Sequence, residues 1–457
     1  MKDNKLIQQR VDSLTTLTYE NSDWPTLINQ VLKNAKALGA TDAEISASSS
    51  MGFTTAVRLR EVETIEFTRS KAAVITVYFG KQKGSASTTD TSYEALNAAV
   101  KAACEIAKAS GKDEYAGLAK KEQLAFHYSP LDLYHSWTVT PEQAIEIALE
   151  CEEAALSYDP RIINSEGAAL STHQHHYVYA NTLDFYGHYD STQHSLSCCV
   201  IGQQGEEMQR DHSVTMARSA QNLKNANFIG KEVAEKTLKR LGARKLNTQK
   251  APIIFEKTIA SSLLSSFIQA IRGGNLYRKS SFLLDHLGKK VFPDFIDIYE
   301  EPHLIGGLGS APFDNEGVST RNKYFIQQGI LENYLLNSYS ARKLGLETTG
   351  NAGGVYNLSI KTSSDNLSSL LKTMDTGLLV TELMGQGINL VTGDYSRGAS
   401  GFWVEKGEIQ FPVEEITIAG NLGDMFKNIV KVANDIEKQR NIITGSLLIE
   451  EMMIAGN

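Results

Sequence analysis

The residues best equipped for metal chemistry crowd into one stretch, Thr172-His173-Gln174-His175-His176, with Asp184, His188, Asp190 and His194 downstream. On an extended strand alternate side chains share a face, so His173 and His175 could offer two imidazoles to one zinc ion at about 2.0–2.1 Å. Local spacing fixes no third ligand, and a histidine-rich exposed strand face needs no metal. A zinc hydrolase usually carries His-Glu-x-x-His on a helix, which aims two imidazoles at the ion and sets a glutamate beside its water. None of the ten histidines here precedes a glutamate. The phosphate-cradling GxxxxGK[ST] is missing, and Gly385-Gln386-Gly387 is only a fragment of the dinucleotide fingerprint GxGxxG. Ser340-Ala341-Arg342-Lys343 matches the S-x-x-K of serine-lysine acyl enzymes but lacks the companion S-D-N and K-T-G, so ordinary helix surface explains it better.

Glycine-punctuated polar loops remain: Gly273 to Lys279, Gly306 to Gly317, and Gly393 to Gly398. Glycine opens backbone geometries and close approaches denied to other residues. Each loop alone reads equally as a tight turn; together they suggest a surface that lines a substrate.

The elements that must position these loops follow from periodicity. Asp23 before Pro25 caps an expected helix with Leu27, Val31, Ala35 and Leu38 on one face, and a second runs from about Tyr93 to Ser110. Between them, alternating segments around Val57, Ile65 and Val74, divided at Arg60-Glu61 and at Arg69-Ser70-Lys71, predict an antiparallel meander. Residues 112–139 are weakly patterned and suit an exposed linker. Thr140-Pro141-Glu142-Gln143 supplies a cap, a first-turn proline and the glutamine of a capping box, after which strands with turns at 164–167, Gly187 and 202–205 are expected. Farther on, helices are expected over 231–241, 259–271, 367–374 and 424–439, with strands at 252–255, 378–382, 402–405, 415–419 and 445–449. The fold class is α+β with mixed and antiparallel sheets, divided as 1–115 (helix and meander), 116–225 (β-rich) and 226–457 (larger α+β unit).

With 457 residues, 42% hydrophobic and 21% charged, the chain is of the globular class with about three domains. A net charge of -8 opposes attraction to nucleic acid or anionic lipid. No apolar run approaches the about 20 residues of a membrane span, and the opening residues do not read as a signal peptide. Four cysteines, two of them adjacent, give no disulfide framework. A cytoplasmic enzyme or interaction protein is the class expected.

Four segments carry a family resemblance: Tyr277-Arg278-Lys279-Ser280-Ser281-Phe282; Ser310-Ala311-Pro312-Phe313-Asp314-Asn315-Glu316-Gly317; Tyr339 to Gly345; and Glu382 to Gly387 with Gly393 to Trp403. They resemble the PmbA (TldE) branch of the TldD/PmbA family, and similarity extends more loosely to the meander from Glu61 to Thr88. The resemblance implies a cytoplasmic zinc metalloprotease in which TldD-type and PmbA-type subunits pair and cleave unfolded or small peptides, historically labelled a modulator of DNA gyrase. It also implies where a TldD-type chain would hold zinc: the helix over 259–271, near Ser265, Ser266 and Ala270, with a cysteine position at Thr444. Hydroxyl and methyl groups replace imidazole, carboxylate and thiolate there, so no zinc is expected on this chain and the partner would supply it. Tyr277, Arg278, Asp314, Tyr395 and Arg397 are the expected channel or interface residues: arginine for substrate carboxylates or carbonyls, tyrosine for flat contact area. Internal bracing of the loops by the arginines is the plainer alternative. The rival functions are a non-proteolytic regulator of gyrase-related peptides, able to act as a homodimer, and zinc hydrolysis through residues 173–194.

Overall fold

A computed structural model describes residues 24–456; the Asp23 cap lies outside them. The chain divides into two compact units, the first comprising residues up to Ile201 with Asp211–Ala234 and Phe313–Ser319, the second Gly202–Arg210, Glu235–Pro312 and Thr320 onward.

The first unit is a sheet with helices on one face. Strands β1 (Asp42–Arg58), β2 (Glu61–Phe79), β3 (Gln82–Thr88), β4 (Ile162–Asn181), β5 (Tyr186–Gln204) and β6 (Glu207–Ala217) lie in the order β3-β2-β1-β4-β5-β6. Helices α1 (Trp24–Ala37) and α2 (Tyr93–Ala109) bury Ile28, Val31, Leu96, Val100 and Ala103 against Ile45, Ile75 and Val178. The third helix, α3 (Pro141–Leu156), begins with the full capping box foreseen at Thr140 and Gln143. Three expectations fail in this unit. No turn forms at Arg69–Lys71, because β1 pairs straight through it with Met51↔Arg69, Ser50↔Ser70 and Ser49↔Lys71, so the neighbouring strand satisfies the backbone of this polar triplet. Likewise 164–167 and Gly187 lie inside β4 and β5, the true turn falling between Asn181 and Tyr186. At the β1–β2 turn, Leu59 and Arg60 take positive φ (52° and 67°), and their N–H groups donate to the buried Glu152 of α3 at 2.9 and 2.8 Å. Residues 112–139, expected to be an exposed linker, bury Ala116, Ala119, Leu124, Ala125, Leu131 and Leu133.

The second unit contains two sheets. Strands β7 (Gln249–Phe255), β8 (Ile298–Glu300), β9 (Lys323–Gln327), β10 (Ile330–Leu331), β11 (Leu358–Ile360), β12 (Gly377–Met384), β13 (Asp394–Glu405), β14 (Glu408–Asn421), β15 (Ile429–Val432), β16 (Ile442–Ile443) and β17 (Leu447–Ala455) complete the set. The smaller sheet runs β10-β9-β8-β11-β16, and the larger runs β14-β13-β12-β7-β17-β15. A further pairing of β14 with β17, through Ile418↔Ile454, closes five of its strands into a ring. Closure removes exposed edges. After α4 (Ala226–Lys239), helix α5 (Lys257–Ala270) buries Ala260, Leu263, Leu264, Phe267 and Ile268 in a core to which both sheets contribute. The short α6 (Gly273–Tyr277) follows, then α7 (Ser338–Leu344), α8 (Leu367–Met374) and α9 (Leu422–Lys427). The helix expected over 424–439 stops at Lys427: Ile429-Val430-Lys431-Val432 is β-branched and pairs with Leu447–Ile449 as β15.

Candidate functional site

Helix α5 carries Ser265, Ser266 and Ala270, the positions at which the sequence resemblance implies that a TldD-type chain would hold zinc. Its N-cap Glu256 accepts from Thr258 N–H at 2.7 Å. Three of its four serines bond to its own backbone: Ser261 donates to the Thr258 carbonyl (3.0 Å), Ser265 to Ser261 (2.9 Å) and Ser266 to Ser262 (2.9 Å), while the buried hydroxyl of Ser262 has no hydrogen-bond partner among the described residues. Such back-bonding is the local alternative open to a helical serine. Ala270 is fully buried, its carbonyl accepting from Ser281 Oγ at 2.6 Å. Thr444 is buried and donates to the Gly445 carbonyl at 2.8 Å. Arg440 lies along the helix start, donating to the Thr258 carbonyl at 2.9 Å. Zinc wants thiolate, imidazole or carboxylate, and this set of hydroxyls and a methyl does not fit it. Among the described residues no group of three or more His, Cys, Asp or Glu could hold a metal ion.

Beyond α5 the chain turns sharply through α6. Gly273 N–H donates to the Leu335 carbonyl at 2.9 Å, and a Cβ at Gly273 would stand 2.3 Å from Ser340 Oγ, so glycine is what lets α6 dock on α7. The docking brings Tyr277 edge-on to Tyr339, with ring centroids 5.8 Å apart. Arg278 lies over the Tyr277 ring at 5.3 Å and Lys343 over Tyr339 at 5.6 Å. Sequence reasoning named Tyr277 and Arg278 but missed Tyr339 and Lys343, which only the fold brings to them. Ser340 of the S-x-x-K match is consumed in the α7 capping box with Asn337.

Tyr395 and Arg397 share one side of β13. Tyr395 is 2% exposed and packs against Phe255, and burial pushes its phenol up to about 12, with the Arg397 charge pulling the other way. Phe282 N–H donates to the Leu390 carbonyl at 2.9 Å, tying the segment after Arg278 to the loop before Tyr395. Asp314 belongs to the first unit, fully buried, with Oδ1 accepting the N–H of Glu316 (2.9 Å) and Val318 (3.0 Å). The structure thus joins Tyr277 with Arg278 and Tyr395 with Arg397, and gives the Asp314 carboxylate a turn to hold. The loop at 306–309 is similarly self-bonded: Asn357 Oδ1 accepts from Gly309 N–H at 2.9 Å, and its Nδ2 donates to the Glu301 carbonyl at 2.8 Å.

The histidines are dispersed over both faces of the first sheet. His173 and His175 stack at 6.3 Å on one face, and burial holds both below the usual imidazole range. His176 Nδ1 lies 2.5 Å from Asp190 on the other face. His194 is fully buried between Thr172 Oγ1 and the His135 carbonyl, each at 2.9 Å. A polar cleft of about 240 Å³ beside this region is lined by Ser48, Ser50, His175, Tyr177, Tyr189 and Asn315.

Models of the PmbA/TldA metallopeptidase domains match this chain in sequence order: domain 1 over residues 43–107, the central domain over 134–241 and the C-terminal domain over 248–456. The chain belongs to this family. It is 50% identical over 421 residues to the metalloprotease PmbA of Escherichia coli, spanning 92% of this chain and 94% of that one. It is 47% identical over 447 residues to a PmbA homolog from Haemophilus influenzae, 98% and 99% of the two chains. Among solved structures, a Bacteroides thetaiotaomicron protein provisionally named a modulator of DNA gyrase superposes with a TM-score of 0.90 at 28% identity, over 96% of this chain and all of that one.

Proposed function

We propose that this chain is the subunit of a TldD/PmbA-type metallopeptidase that carries no catalytic zinc, and that it holds unfolded or small peptides for a zinc-bearing TldD-type partner in the cytoplasm. The observation that carries this reading is α5: in a chain belonging to a metallopeptidase family, the helix expected to carry the metal has Ser265 and Ser266, at the expected ligand positions, turned onto its own carbonyls. No carboxylate stands at Ser266 to act as general base. Hydrolysis then needs a second polypeptide, and this one contributes binding. Tyr277 and Arg278, packed on each other in the second unit, are proposed as channel or interface residues of that unit together with Tyr395 and Arg397, and Asp314 as one of the first unit. On its own the chain is proposed to form homodimers.

The test is reconstitution. The isolated chain should show no chelator-sensitive cleavage of an unstructured peptide, whereas mixing it with a zinc-loaded TldD-type subunit should give a stable complex with peptidase activity. Robust cleavage by the isolated chain would defeat the proposal. The Bacteroides neighbour is named only as a modulator of DNA gyrase, and beside the first reading we propose as the alternative a non-proteolytic regulator linked to gyrase-targeting peptides; it prevails if the complex forms and cleavage is no faster than with the partner alone.

A further inference from the structure

The chain is acidic overall, at -8, yet no Asp or Glu occurs anywhere in residues 257–284 or 333–346. The fold lays these two acid-free segments together as α6 docked on α7. Arg272, Arg278 and Lys279 are all exposed there. Arg278 meets only neutral oxygens, at long distances: Tyr277 Oη at 3.3 Å and Asn275 Oδ1 at 3.4 Å. Among the described residues, none of these three cations has an ion pair with a carboxylate. Lys343 adds a fourth positive charge, over the Tyr339 ring.

We propose that the exposed face of α6 and α7 reads carboxylates, and that its occupant is an acidic, extended peptide segment. The guanidinium of Arg278 is positioned by its neighbours: it lies over Tyr277, which meets Tyr339 edge-on. Asn275, its other contact, is pinned by donating to the Gln269 carbonyl at 2.7 Å. A planar fork held in place with open N–H groups suits bidentate capture of a carboxylate, because little rotamer freedom is lost on binding. The two tyrosine faces give a peptide flat contact between charged anchor points. Several cations spread over more than one helical turn match several side-chain carboxylates better than one terminal group. This inference deepens the peptidase-subunit reading by naming a substrate class. It is tested on the isolated chain, so it can stand or fall without the partner.

The probe is a fluorescent, unstructured peptide of Asp, Glu, Gly and Ser, acetylated and amidated at its ends, with an Asn/Gln counterpart of the same length. By anisotropy, the acidic peptide should bind at least about tenfold tighter than the amide peptide, and the double variant Arg278→Met with Lys279→Met should lose about that factor. Arg278→Lys should fall between, since it keeps charge and loses the fork. Because these side chains are exposed, the melting temperature of each variant should match that of the parent, which separates lost binding from lost folding. Equal binding of the amide peptide would overturn the proposal, as would full affinity in the double variant. So would a peptide with free acidic side chains that binds only when its C-terminus is also free, or a single-stranded oligonucleotide that displaces the peptide at equal concentration.

Discussion

The interior of the second unit and the α6–α7 corner on its surface treat polar groups in opposite ways. Inside, Lys323 meets Glu300 at 2.5 Å, and Glu300 also accepts from Asn351 Nδ2 (3.0 and 3.1 Å) and Tyr356 N–H (2.7 Å). At the corner, Arg278 is exposed and has no carboxylate partner among the described residues. The difference separates architecture from recognition: a buried charge must be matched by the chain itself, whereas a charge held rigidly at the surface and left unmatched is available to something else.

The largest effect expected from this contrast is at Glu300. Glu300→Ala leaves the Lys323 ammonium in a site where its side chain is 6% exposed, and should destabilise the protein by about 3–5 kcal/mol, read from the midpoint of denaturant unfolding. Arg278→Ala, by the same measurement, should change stability by less than about 0.5 kcal/mol. Comparable losses at the two positions would erase the distinction.

A second, smaller effect bears on α5. Ala270 is fully buried, so Ala270→His must force an imidazole into filled space and should cost about 1–3 kcal/mol. Adding Ser265→His, Ser266→Glu and Thr444→Cys restores the donor types a zinc site wants, yet the packing around Ala270 should still prevent stoichiometric zinc from surviving dialysis. Metal analysis alongside a folding check decides it. A folded quadruple variant with one tightly held zinc would mean that the helix is only chemically silenced, its pocket still shaped for an ion.

What could be read from the sequence follows the same division. Local signals were legible because the forces behind them are local: the Thr140–Gln143 capping box and the α2 and α8 spans appear as foreseen, and the hairpin turn expected at Arg60-Glu61 falls one residue earlier, at Leu59–Arg60. The turn expected at Arg69–Lys71, where a strand runs through, and the overextended helix after Asp424 were decided by partners distant in the chain, β1 and β17, which no window around those residues reveals. At the candidate site, Arg278 and Tyr277 stood out by type, but Tyr339 joins them only because Gly273 lets two helices touch. Glu300 carried a faint signal: in β8 it follows Ile298 on the buried side, an acid where an apolar residue belongs.

The first unit supplies the mildest test of the idea that interior polar groups are committed. His194 is fully buried; burial pushes its pKa down, the hydrogen bond to the His135 carbonyl opposes that, and the nearby His135 and His173 push it down again. Its neutral ring is satisfied at both nitrogens, with Nε2–H donating to the His135 carbonyl and Nδ1 accepting from Thr172. A group whose folded pKa lies below its unfolded value favours folding above the unfolded pKa and loses that contribution as pH falls through the folded one. Stability should therefore decline as the pH drops below about 6.5, the unfolded histidine value, with His173 and His175 contributing in the same sense. Gln in place of His194 can keep both hydrogen bonds without titrating, so His194→Gln should flatten part of that decline while leaving stability near pH 8 close to the parent. Unfolding midpoints measured from pH 5 to 8 check this. An unchanged slope would mean that His194 opens to water before it protonates, and that this part of the interior is less committed than its hydrogen bonds imply.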